Sequence, residues 1–444
     1  MEMFQHGLVM TAQLILSLII MVGLHELGHM LTAKYFGMRV EKFFIGFPPK
    51  IFSKKIGETE YGIGSIPLGG FVKITGMIDE SMDKSHLSGP PKPWEFRSKP
   101  AWQRLIVMLG GVTVNAILGI TIFVCLVYAL GEKTVPRSEL DKYGIVAYEL
   151  GKSMGLQTGD RIIKVNGKEV IDDSDIKNPD IYLKPNSYLT VLRNNKQENV
   201  YIQHDILNRL TNNKGEPVPV FDRAFPFEVG ELVDTLPAAK AGMKLGDKIV
   251  KIDTVSIAYF HQLYDYLQNH KGVPVHLEVV RGSQSLPFTL TTTSEGRIGF
   301  LPKDLSAFTI TKFTLLESVQ KGTVKAFSTV YLNAMGLFKV ATGQVSAQKS
   351  LSGPVGMAKM FGHKWDWLNF WILTGMISMV LALMNLLPIP ALDGGHVMFL
   401  LYEILTGRKP SDRFLEVAQY AGMLMLLSLM AFAFYNDFSR MLMP

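Results

Sequence analysis

His25-Glu26-Leu27-Gly28-His29 sets two imidazoles four residues apart, with a carboxylate next to the first. On a helix that spacing brings both rings to one face. Two imidazoles on one face can share a metal ion, and the adjoining glutamate can take a proton from a metal-bound water. The chemistry implied is metal-dependent hydrolysis. The five residues lie within an apolar run from about Leu8 to Leu31. Ionisable groups at bilayer depth are costly and usually functional. A histidine pair bonded between helices is the plainer alternative, but three ionisable groups in one turn fit it poorly.

A catalytic zinc takes three protein ligands and keeps one position for water. The third ligand has to come from elsewhere in the chain. Six residues after His29, where one common pattern has a histidine, stands Tyr35. Glu41, Glu58 and Glu60 fall in a stretch that reads as strand, which suits a ligand badly. Asp393 is the only carboxylate between Trp367 and Tyr402, and an aspartate in lipid needs a cation beside it. His396 is a weaker rival. Asn115 is a candidate donor to the oxyanion of a substrate carbonyl or else a packing residue. Asn385, Gly69 and Gly70 are further candidates for contact with substrate.

The elements that must position these residues follow from hydropathy. The chain has 444 residues, 48% hydrophobic and only 19% charged, against a usual charged share of about 25%. Apolar runs near 8–32, 104–130, 367–387 and 414–434 are each long enough for the hydrocarbon core, which needs about 20 residues. Lys34, Arg39, Lys42, Lys50, Lys54 and Lys55 follow the first run, and Arg408, Lys409 and Arg413 precede the fourth. Basic loops stay cytoplasmic, so both ends of the candidate site face that side. The net charge of +6 is modest. No basic patch with interleaved aromatics points to nucleic acid. The lone Cys125 rules out an internal disulfide. The N-terminus has no cleavable leader pattern.

Residues 40–75 carry Gly and Pro too often for a helix and predict a small sheet beside the site, with a free edge at 60–74. Residues 76–101 read as a polar, Pro-rich loop. Between 134 and 305 the chain turns soluble and repeats itself. Gly159-Asp160-Arg161-Ile162 recurs 87 residues on as Gly246-Asp247-Lys248-Ile249. Each copy resembles the A-G-x-x-x-G-D-x-I-x-x-V-N-G signature of bacterial PDZ domains. Residues 310–348 predict an amphipathic helix.

Taken as an ordered set, these motifs resemble the site-2 protease family of intramembrane zinc metalloproteases. The nearest branch is the bacterial regulator-of-sigma-E protease type with tandem PDZ domains. The resemblance covers His25 to His29, the Pro67-Leu68-Gly69-Gly70 stretch, Gly111 to Asn115, both repeats, Ser352 to Lys359 and Asn385 to Gly395. One departure is Gly110-Gly111, where the family often has Gly-Pro. The resemblance implies one zinc ion held by His25, His29 and Asp393, with Glu26 as catalytic base. It implies a membrane-embedded edge strand that clamps the substrate. Implied substrates are single-span membrane proteins of the anti-sigma-factor type, trimmed first by another protease, and remnant signal peptides.

The expected fold class is a polytopic α-helical membrane protein of about four spans, with a small membrane-associated β-sheet and two extracytoplasmic PDZ-like α+β domains. The expected boundaries are 1–133 for the first membrane part, 134–221 and 222–302 for the PDZ-like domains, 303–362 for a helical connection and 363–444 for the second membrane part. The expected location is a bacterial inner membrane. A membrane PDZ scaffold with a structural or vestigial zinc site is the alternative, and an intact Glu26 argues against it. A transporter is less favoured, since no inverted repeat of spans is visible.

Overall fold

The computed structural model describes residues 2–77, 90–212 and 217–442. Residues 78–89 of the polar loop expected at 76–101 therefore lie outside the described residues. The chain divides into two units, one of apolar helices with a small sheet and one of soluble α+β structure.

The membrane unit holds four helices long and apolar enough to cross a bilayer, at Gln5–Tyr35, Ala101–Leu130, Trp367–Leu386 and Arg413–Arg440. They lie in α1 (Glu2–Tyr35), α2 (Ala101–Leu130), α5 (Trp367–Leu386) and α7 (Asp412–Leu442). Between α2 and α5 come α3 (Leu315–Ala341) and the short α4 (Pro354–Met360), and between α5 and α7 comes α6 (Asp393–Thr406). Helix α2 starts after Pro100 and stops at Gly131, whose φ is +73°. Helix α5 is capped by the Asp366 carboxylate, which accepts from the Leu368 and Asn369 amides, and it ends ahead of Pro388, which cannot continue a helix.

Small residues bring α1 and α2 together backbone to backbone. A Cβ on Gly28 would sit 2.3 Å from the Gly110 carbonyl oxygen, and one on Gly110 would sit 2.6 Å from that of Gly28. Lipid offers helices no hydrophobic drive to associate, so such close contact and hydroxyl bonds hold them. Ser17 and Thr374 share a hydrogen bond of 3.0 Å between α1 and α5, and Ser378 donates to the Asn115 carbonyl at 2.8 Å. The predicted 310–348 helix is the shorter α3, which packs small buried residues, Ser318, Gly322 and Ala326, inward. Helix α4 is tied at both ends. The Asp437 carboxylate of α7 accepts from the Gly353, Val355 and Gly356 amides, and the Gln13 amide of α1 donates to the carbonyl of Gly362.

The sheet between α1 and α2 is built from β1 (Val40–Ile56) and β2 (Thr59–Ile74). Each strand bends back, so the pair forms four ribbons. Phe44 pairs with both Phe71 and Gly62, and Phe52 pairs with Ile63. The lateral order is therefore 70–74, 40–45, 59–63, 50–56. The 70–74 ribbon is an edge, as is 50–56. The free edge expected at 60–74 is thus confined to the second half of that stretch, because 59–63 lies inside the sheet.

The soluble unit contains two hydrophobic cores. One gathers Leu150, Ile162, Leu189 and Val191, and the other gathers Met243, Ile249, Leu277 and Val279. Each core backs a four-stranded antiparallel sheet of the same order. The first runs Lys168–Glu169, Arg161–Val165, Tyr188–Arg193, Lys196–Tyr201, and the second runs Val255–Ser256, Lys248–Ile252, Pro274–Arg281, Gln284–Thr291. The repeat extends to detail. Arg193 grips Asp160 through Nε and a terminal nitrogen at 2.8 and 2.7 Å, and Arg281 grips Asp247 at 2.7 and 2.8 Å. Strand pairing runs past the expected boundaries. Phe221–Arg223 pairs with Ile145–Ala147 of the first module, and Thr309–Thr311 pairs with Glu132–Thr134 at the start of the unit.

Candidate functional site

The close contact between α1 and α2 decides where the imidazoles lie. His25 and His29 rest on the α2 backbone at Gly111, where a Cβ would fall 2.4 Å from His29 Nε2 and 2.5 Å from His25 Cε1. With glycine here the rings lie directly against the helix backbone; a side chain would push them away. The rings are buried, and their Nε2 atoms stand 3.2 Å apart. Asp393 opens α6 after the Pro388-Ile389-Pro390 turn and brings its Oδ2 to 3.1 Å from His25 Nε2 and 3.3 Å from His29 Nε2.

Those three edges test whether a metal fits. A tetrahedral zinc with ligand bonds of about 2.0–2.1 Å spaces its ligand atoms about 3.3 Å apart. The triangle matches that spacing, and its donor set of two imidazoles and a carboxylate is one that zinc accepts. Asp393 Oδ2 is buried with no hydrogen bond, although both rings lie within ion-pair distance, because no N–H is aligned on it. An acceptor in that state is stabilised by a cation. Among the described residues, this is the one cluster of three such side chains with converging ligand atoms.

The outer nitrogens of the two rings have their own partners. His29 Nδ1 donates to the Val107 carbonyl at 2.8 Å, which leaves the Nε2 lone pair toward Asp393. His25 Nδ1 lies 3.1 Å from Asn115 Nδ2. Asn115 is wholly buried on α2, behind the ring and away from Asp393, and its Oδ1 has no partner. Asn385, at the end of α5, instead reaches the inner side, with Nδ2 at 3.2 Å from His25 Nε2.

A cavity of about 730 Å³ opens in front of the three ligand atoms. Its walls include Glu26, Gly69, Gly70, Asn385 and His396. Glu26 stands at the sheet edge. A Cβ on Gly70 would lie 3.1 Å from Glu26 Cγ, and the Val72 backbone is a hydrogen-bond partner of the Glu26 carboxylate. His396 is half-buried in the wall, one turn beyond Asp393, and does not join the cluster. Glu60 is remote from the site, bonded to Lys50 and Ser53 in the opposite half of the sheet.

Gly111 as the floor beneath the histidines was not legible as such; the sequence marked it only as part of the Gly111 to Asn115 stretch of the resemblance. The Val107 carbonyl carries no signal at all, since every residue has one.

The family model for Peptidase family M50 matches residues 13–429. The chain is 28% identical over 454 residues to the regulator of sigma-E protease RseP of Salmonella typhimurium, covering 97% of this chain and 98% of that one. It is 29% identical to the regulator of sigma E protease of Haemophilus influenzae, covering 96% and 98%. A Vibrio cholerae protein named as a zinc metalloprotease is 28% identical, again covering 96% and 98%. A match that runs from the first apolar helix to the last, on a chain whose converging trio of two histidines and an aspartate lies among those helices, places this protein in Peptidase family M50, as a zinc metalloprotease of the membrane.

Proposed function

We propose that the protein is an endopeptidase that cuts single-span membrane proteins within or near the bilayer, with His25, His29 and Asp393 as zinc ligands and Glu26 as general base. The observation that carries this reading is the convergence of three ligand atoms within 4.8 Å of one another at the head of a cavity that Glu26 also lines. Bound zinc supplies a nucleophilic water near neutral pH and polarises the scissile carbonyl. Glu26 takes the proton of the attacking water and delivers it to the leaving amine. Asn385, on the inner side of His25, is better placed than Asn115 to donate to the oxyanion. Asn115 serves His25 instead. With its amide turned by 180°, Oδ1 accepts the Nδ1–H, the orphaned oxygen gains a partner, and Nε2 is left as a lone-pair donor.

A transmembrane helix hides its peptide bonds in its own hydrogen bonds, so the substrate must be unwound before attack. The 70–74 edge can hold the extended segment by adding it as a strand. Gly69 and Gly70 keep that edge free of side chains where it passes Glu26. The relatives' name, regulator of sigma-E protease, points to substrates of the anti-sigma-factor type; an earlier cut by another protease would leave them trimmed, and remnant signal peptides are of the same single-span class. The two repeats of the soluble unit act as PDZ-like modules on the extracytoplasmic side of a bacterial inner membrane, taking peptide ends or excluding bulky domains. The basic loops support this topology, with the site toward the cytoplasmic face.

Glu26→Gln tests the reading. In full-length protein it should retain zinc by metal analysis and lose cleavage of a single-span reporter by about 10²–10⁴-fold. Undiminished cleavage would end the proposal, and it is the result a scaffold reading would require of any residual activity.

A further inference from the structure

The turn that delivers Asp393 is held in an unfavourable conformation, and a span distant in the chain holds it there. Ala391, two residues before Asp393, has φ +79°. A side chain with a Cβ rarely adopts that region, and it persists only when the surroundings enforce it. The Ala391 amide donates to Gln419 Oε1 of α7 at 3.2 Å. Gln419 is buried, and three residues further along α7 Gly422 packs so tightly that a Cβ would fall 1.7 Å from the Pro390 carbonyl oxygen. The other side of the turn folds onto the start of α6, where a Cβ on Gly394 would meet the Leu387 carbonyl oxygen at 2.0 Å. The turn is thus clamped, and Gln419 supplies the only side-chain hydrogen bond found for its backbone among the described residues. Ala391, Leu392, Asp393 and Gln419 all line the same cavity.

We infer that Gln419 is a positioning residue for the metal site. Its side-chain oxygen fixes Ala391 at positive φ, and this aims the Asp393 carboxylate at His25 and His29. Without that bond Ala391 relaxes toward negative φ, and the rotation passes through Leu392 to Asp393. The inference rests on Asp393 as a zinc ligand. It places part of the control of zinc affinity on α7, a helix that contributes no ligand.

The test uses full-length protein in detergent, with zinc retention against a graded chelator as readout. Gln419→Met keeps the length of the side chain and removes the acceptor. It should lose zinc at about tenfold lower chelator, the low end of what outer-shell partners of a metal site contribute. Glycine takes positive φ without steric cost, so Ala391→Gly combined with Gln419→Met should recover most of the loss. A residue that merely packs would show no such rescue. Gln419→Met that holds zinc like the parent protein overturns the inference. So does a double variant that loses as much zinc as the single one. If Gln419→Met does not fold, Gln419→Glu, which keeps an acceptor, is read instead: it should hold zinc like the parent, and loss of zinc from folded protein overturns the inference. A parent protein that binds no zinc would sink the proposed function itself, a separate outcome.

Discussion

In the soluble unit Asp247 is completely enclosed, and its carboxylate is met on all sides. Arg281 reaches it with two nitrogens at 2.7 and 2.8 Å, and the Lys244 amide donates at 2.8 Å. Burial pushes this carboxyl up, but Arg281 and the Lys244 amide outweigh burial and hold it below the usual carboxylate range. Asp160 repeats the arrangement with Arg193 and the Gln157 amide. In the membrane unit Asp393 is half-buried but its Oδ2 is enclosed, and that oxygen faces two imidazole nitrogens and accepts no hydrogen bond. Burial is shared, and satisfaction is what differs. A buried carboxylate with every lone pair answered ties a fold together. One whose neighbours are themselves lone-pair donors is arranged for something that is not protein. The contrast separates structural from chemical aspartates without reference to any relative.

The largest effect should come from removing the charge at the site. Asp393→Asn should weaken zinc binding by more than the ~10–100-fold typical of outer-shell partners, since the proposed ligand itself is altered. With chelator present the variant should unfold no earlier than the parent, because an unanswered carboxylate does little for the metal-free fold. A marked loss of metal-free stability would break the comparison, for it would make Asp393 a structural aspartate after all. Unchanged zinc content would return attention to His396. The converse belongs to the soluble unit. Arg193→Met leaves Asp160 buried and without its fork, and this should destabilise the first module by about 2–3 kcal/mol, toward the low side for a broken pair because the guanidinium is partly exposed. Denaturant unfolding followed by limited proteolysis of the soluble unit reads this, and zinc retention should not move.

How much of this was legible in the residues follows the same division. The four apolar runs, the HExxH face and the lone Asp393 are local or compositional signals, and hydropathy carries them directly. The repeat was legible because each Gly-Asp turn needs its glycine and its aspartate in fixed register. What stayed hidden depends on two distant segments meeting. The four-ribbon order of the 40–74 sheet could not be read, because β1 and β2 each bend and pair twice. The place of Asn115 was open for the same reason. An asparagine on an apolar helix can face a substrate or a neighbour, and only the crossing of α1 and α2 at Gly28 and Gly110 puts it behind His25. Ala391 is the extreme case, since nothing about an alanine announces positive φ. The short strands at 221–223 and 309–311 carry no local signal, because they gain meaning only by pairing with 145–147 and 132–134.

One atom of the soluble unit challenges the rule drawn from these aspartates. His261 Nδ1, on the Phe260–Asn269 helix, is buried without a hydrogen bond. Burial lowers the affinity of this ring for a proton, against a smaller opposing pull from Asp265. If orphaned atoms mark chemistry, His261 should matter to activity; if the ring is only half-buried packing, it should matter to pH alone. We expect the second. The unfolded ring takes up a proton near pH 6.5, while the folded ring resists it. The contribution is therefore complete above that pH and is lost as pH falls from about 6.5 through the lowered folded value. The slope should stay well under the ~1.4 kcal/mol per pH unit of one full proton, since the ring is partly solvated. His261→Phe should flatten this stretch of the stability profile and leave reporter cleavage at neutral pH unchanged. Loss of cleavage would mean that an unanswered polar atom signals function even outside the metal site, and an unchanged slope would mean that His261 is answered by water in both states.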